Sequence, residues 1–126
     1  MKDIETPEDI HRIVSTFYDF LLKDESISYL FTDVVVIKLQ EHLPILVTFW
    51  SQALLGTGGY YNNLTQIHLD LHHKSALTPE LFQIWLGHFN AAIDMHCQGL
   101  NCERMKTQAL NLATVMQIKI AQENNK

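Results

Sequence analysis

The segment NLTQIHLDLHHKSALTPELFQIW, residues 63–85, carries three histidines, His68, His72 and His73, directly ahead of a helix start. Imidazole is the commonest nitrogen ligand of protein-bound metals, so the first question is which ring faces an apolar interior. On a short helix from Leu64 to Leu71, the residues Leu64, Ile67, His68 and Leu71 share one face by the i, i+3, i+4, i+7 rule. His68 is therefore the histidine on the apolar side. His72 lies one turn further on, but it falls with His73 and Lys74 at the helix end, where polar and cationic groups suit the C-terminal dipole and solvent. Taken alone, His68 reads either as a ligand or as a hydrogen-bonded core histidine. The i, i+4 pair His68 and His72 also has the spacing for zinc, or for part of a di-iron centre in a helical bundle. Against that reading, His42 has no carboxylate four residues later and His96 is followed by no suitable partner. Cys97 and Cys102, on either side of an expected helix break, read as buried thiols rather than a ligand pair or a disulfide.

The elements that must position these groups are helices throughout. Thr6 suits an N-cap, Pro7 the first helical position and Asp9 the acid of a capping box, which predicts a helix from about Pro7 to Lys23. Its buried stripe is Ile10, Ile13, Val14, Phe17, Tyr18 and Leu21. A short turn from Ser26 to Phe31 follows. The segment DVVVIKLQEHLPILVTFWSQALLG then reads as a second long helix ending at Gly56, its β-branched run Val34–Ile37 included, because nothing alternates with period two. Pro44 removes a backbone bond two residues after His42, so this helix either restarts near Glu41–His42 or kinks, and both options displace His42. Thr78-Pro79-Glu80 announces a third helix reaching Gly99, with Leu81, Phe82, Trp85, Leu86, Phe89, Ile93 and His96 inward. A fourth runs from about Asn101 to Gln122 on Met105, Ala109, Leu112, Ala113, Met116 and Ile120. Residues 56–77 between the second and third helices are glycine-rich, then polar, then briefly helical, and connections of that length are often functional.

At 126 residues the chain suits one domain, residues 1–126, with a single core. Its formal charge of −5, with Lys and Arg scattered rather than striped, argues against a nucleic-acid partner. No stretch approaches the roughly 18 continuous apolar residues of a membrane span. The opening MKDIETPEDI does not read as a signal peptide and the two cysteines give no disulfide framework, so a cytoplasmic setting is expected.

Over nearly the whole chain, from about Ile10 to Ile120, the sequence resembles the truncated haemoglobins, and within them the bacterial group III. The residues that carry the resemblance are Phe17-Tyr18 in the first long helix, Phe31 in the corner, His42 and Phe49-Trp50 in the second, LLGTGGYYNNLTQIH running into His68, and Trp85 in LFQIWL. It implies an all-α, two-over-two truncated globin that holds haem b, iron protoporphyrin IX, with His68 as the proximal ligand of the iron. Phe31 then resembles the family's corner phenylalanine on the haem edge. Leu46, Phe49, Leu64, Ile67, Phe89 and Ile93 are candidate walls, each of which reads equally as plain core.

On the other side of the iron, Tyr18 matches the family's distal tyrosine, a hydrogen-bond donor to dioxygen, and Trp85 matches a distal tryptophan that supplies a second N–H. His42 corresponds to the distal histidine of the second helix. Two or three donors converging on one ligand slow its release. Dioxygen, carbon monoxide and nitric oxide are the ligands implied. Nitric oxide dioxygenation or peroxidase-like turnover would further require an external reductase. The chain departs from the family's Tyr-x-Gly-x-Pro approach to the proximal histidine: Tyr60 is kept, but Asn62 and Leu64 stand at the Gly and Pro positions. His72, His73 and Lys74 read either as partners of a haem propionate or as a solvated loop. A non-haem metal protein and a cofactor-free, globin-like interaction module are the alternatives.

Overall fold

Thr6 opens the first helix as the sequence expects. Its hydroxyl accepts from the Asp9 amide at 3.3 Å, and the Asp9 carboxylate accepts from the Thr6 amide at 3.1 Å and the Glu5 amide at 2.9 Å. These bonds, the Glu5 amide first among them, hold the Asp9 carboxyl below its usual range. In the computed structural model, which describes residues 1–36, 38–58 and 64–125, with backbone alone for 64–67, this helix, α1, spans Pro7–Lys23. The expected stripe from Ile10 to Leu21 is buried.

Asp24 ends α1 and starts α2, Glu25–Tyr29, its carboxylate accepting from the Ser26 amide at 3.0 Å. A single π-helical turn, Leu30–Val34, follows, and the Val35 amide closes it onto the Leu30 carbonyl at 3.0 Å. Here the structure corrects the sequence reading. Val35 is extended, Val36 is exposed and non-helical, and helix resumes only at Leu39, in keeping with the extended preference of β-branched residues. Ile37 lies outside the described residues.

Helix α3, Leu39–Leu55, contains Pro44 without restarting. Pro44 lies past the first-turn amides, since those of Glu41 and His42 already bond to the Lys38 carbonyl; the proline forgoes the bond to the Gln40 carbonyl and the helix continues through it. Gly56, left-handed at φ 71°, terminates α3 where expected. The remaining helices are α4, Leu64–Lys74, α5, Pro79–His96, and α6, Leu100–Asn124. Helix α5 therefore stops before the expected Gly99.

Helices α1 and α3 form one layer and α5 and α6 the other, with α1 packed across α5 and α4 set against α6. The fold is all-α and two-over-two. No helix among the described residues is long and apolar enough to cross a membrane.

Two features secure the α5–α6 corner. Asp3 caps α6 from the N-terminal arm, its carboxylate accepting from the amides of Asn101 at 2.9 Å and Cys102 at 3.0 Å. The approach requires Gly99, whose φ is 145° and where a Cβ would lie 2.6 Å from Asp3 Cγ. Cys97 and Cys102, expected as separate thiols, are joined as a disulfide with Cα atoms 6.3 Å apart. The chain reversal between the end of α5 and the first turn of α6 brings them into disulfide range, which their sequence spacing does not reveal.

Candidate functional site

Burial by α1, α3, α5 and α6 leaves a cavity of about 440 Å³, closed on a further side by α4. A void this large suits a bound cofactor or ligand, since ordinary protein interiors are close-packed. His68, half-buried, lines it from α4. Tyr18 from α1, His42 from α3 and Trp85 from α5 line the same space. One cavity is thus lined by the proximal candidate His68 and by the three distal candidates Tyr18, His42 and Trp85.

Tyr18 is buried, with its ring edge-on to Phe17 and Phe31. Its hydroxyl lies 2.8 Å from Nε2 of His42. Burial pushes the Tyr18 phenol well above its usual range, so it keeps its proton. Burial, and secondarily the charge of His68, pushes His42 below the usual histidine range and favours its neutral form. The contact therefore has two arrangements: the phenol donates to a bare Nε2, or an Nε2–H donates to the phenolic oxygen and leaves the phenolic O–H free. Pro44 has not displaced His42 from the cavity.

Phe31, Leu46, Phe49 and Phe89 line the cavity as walls. Trp85 is stacked on Phe89 with ring centroids 5.6 Å apart and planes 9° apart. Ile93 is placed differently: it is fully buried in the core and is not part of the lining, because it lies a turn beyond Phe89 on α5, where the helix meets other side chains. The side chains of Leu64 and Ile67, and residues Tyr60 and Asn62, lie outside those described. Lining residues that the sequence reading left in the core or unassigned include Val14, Phe17, Trp50, Leu112 and Met116. The i, i+4 pair Leu112 and Met116 marks an inward face of α6, but periodicity does not tell packed from cavity-facing positions.

His72 and His73 turn to α6 instead. Nδ1 of His72 accepts from the Leu77 amide at 3.0 Å, its Nε2 lies 3.0 Å from Asn124 Oδ1, and Nε2 of His73 lies 3.1 Å from Glu123 Oε1. With both nitrogens of His72 engaged, the pair His68 and His72 is not arranged as a zinc site. Among the described residues no cluster of three or more His, Cys, Asp or Glu is placed to hold a metal ion. Asp70 and Lys74, a turn apart on α4, are exposed and form the polar rim of the cavity.

No protein-family model and no curated protein matches the sequence. The chain is similar in structure to the group III truncated hemoglobin from Campylobacter jejuni, with a TM-score of 0.83 and 25% sequence identity over 94% of this chain and 94% of that one. A two-over-two helical sandwich around an apolar cavity, superposing on that protein over nearly its full length, folds as a truncated globin.

Proposed function

We propose that the chain, as one domain, binds haem b through His68 and takes up dioxygen, carbon monoxide or nitric oxide beside Tyr18, His42 and Trp85. The observation that carries this reading is the half-buried imidazole of His68 on the wall of an apolar cavity of about 440 Å³, without a protein-built metal cluster among the described residues. A porphyrin brings four of its own nitrogens to the metal, so the chain has to supply only one axial ligand. The apolar lining excludes water, and Lys74 at the rim offers a cation to a carboxylate of the bound group. An empty void of this size would serve no purpose in a cofactor-free interaction module and would forfeit packing energy.

When bound, haem supplies an iron centre that coordinates small diatomic molecules and exchanges electrons. The residues of the chain then set how such a molecule is held. Neutral His42 donates through Nε2–H to the Tyr18 oxygen, which orients the protonated phenol to donate into the cavity. Trp85 offers a second donor on the same wall. Retention of the ligand suits sensing or slow chemistry, such as nitric oxide dioxygenation or peroxide turnover, better than bulk transport. Sustained turnover would draw electrons from a separate reductase.

The test is an optical titration of the purified protein with haemin, wild type against His68→Ala, followed by dithionite and carbon monoxide. A saturable one-to-one Soret band with a carbonyl shift, lost in the variant, is expected. The absence of a saturable band in the wild type would overturn the reading.

A further inference from the structure

The cavity lies between α4 and the helices α1, α3 and α5, and α6 is the chief packing partner of α4. One side chain near the end of α4, His72, holds two contacts that fix the helix along and around its axis.

Nδ1 of His72 accepts from the Leu77 amide and its Nε2 faces Asn124 Oδ1, each at 3.0 Å. A backbone amide only donates, so Nδ1 is the bare nitrogen and Nε2 carries the proton and donates to Asn124. One neutral tautomer satisfies both bonds. They run to different parts of the molecule: Asn124 is the last residue of α6, and Leu77 lies in the segment leading into α5. Leu77 is buried, and its side chain lines a small cavity together with His68 and Leu71. The neighbouring contact of His73 with Glu123, at 3.1 Å, is exposed and contributes little on its own.

We propose that His72 is a positioning residue for the cofactor ligand: its ring pins the last turn of α4 to the end of α6 and to the Leu77 backbone, and so sets where His68 stands in the cavity. The inference rests on the haem reading above. A small rotation of α4 would move His68 relative to the Leu77 wall beside it, and groups that orient a metal ligand tune its affinity for the metal.

The variants are His72→Phe, which keeps a ring and loses both bonds, His72→Asn, which still offers an oxygen to the Leu77 amide, and Asn124→Ala, which removes only the α6 tether. Three measurements apply: haemin release to an excess of apoglobin scavenger, the iron–histidine stretching band of the ferrous protein by resonance Raman, and hydrogen exchange of the Leu77 amide in the haem-free chain. For His72→Phe we expect haemin release about two- to tenfold faster, the size of one net hydrogen bond expressed in the release rate, with a shifted or broadened iron–histidine band. The Leu77 amide should lose protection in that variant and keep it in His72→Asn, with the band restored. Asn124→Ala should fall between wild type and His72→Phe. Wild-type protein that takes up haemin while the variants leave release and band unchanged would overturn the role of His72 alone. Wild-type protein that takes up no haemin would overturn both readings.

Discussion

The Tyr18 hydroxyl and Nε2 of His42, 2.8 Å apart, join α1 to α3 inside the cavity. The bond links the first long helix to a residue placed shortly after an extended stretch and just ahead of a proline. It holds because α3 starts at Leu39 and carries His42 into its second turn before Pro44 is reached. A protonated phenol beside a neutral imidazole has two hydrogen-bond arrangements, and which imidazole nitrogen carries its proton decides between them.

Tyr18→Phe keeps the ring contacts with Phe17 and Phe31 and removes only the donor. If the phenol donates to a ligand, oxygen dissociation should be about five- to a hundredfold faster, the effect of losing a hydrogen bond worth on the order of 1–3 kcal/mol. Stopped-flow displacement of oxygen by carbon monoxide measures it. An unchanged off-rate would mean that the hydroxyl serves only His42.

Asp24 makes the α1–α2 corner acid-sensitive. The Ser26 hydroxyl, then Nε2 of His88 at 2.7 Å and the Ser26 amide, hold its carboxyl down to about 2. The unfolded value is about 4, so the carboxylate adds stability in full above that pH, and the contribution is lost as pH falls through about 2. Carbon-13 NMR should show Asp24 titrating well below the other exposed carboxylates, and Asp24→Asn should flatten the stability profile over this window. Titration near 4 would contradict the corner geometry.

Gly99→Ala places a methyl group against the Asp3 carboxylate in a backbone conformation that alanine rarely adopts. The expected cost is about 1–3 kcal/mol from strain, with up to about 2 kcal/mol more if Asp3 leaves the α6 N-terminus uncapped. Denaturant unfolding gives the loss, and Asp3→Ala measures the cap part separately. A neutral Gly99→Ala would show that the arm is not docked.

Ile93 separates core from cavity on α5. Ile93→Ala should cost about 2–5 kcal/mol of stability as a core truncation while leaving the spectrum and affinity of bound haemin unchanged. Phe89→Ala, one turn earlier and lining the cavity, should disturb both. Thermal melts beside haemin titrations distinguish the two, and a spectral change in Ile93→Ala would return that residue to the site.

The sequence by itself determined the elements whose signals are local. Thr6, Pro7 and Asp9 start α1, Thr78 and Pro79 start α5, Gly56 ends α3, and the three- and four-residue spacings mark the inward faces, because capping bonds and helical period act within one or two turns. The resemblance drawn from Tyr18, His42, His68 and Trp85 likewise anticipated four side chains that meet in one cavity. Tertiary structure alone decided the rest. Cys97 meets Cys102 because the corner folds back. Ile93 is core and Met116 is cavity wall although both lie on inward faces, since the helix period fixes which way a side chain points and only the packing of neighbouring helices fixes what it meets.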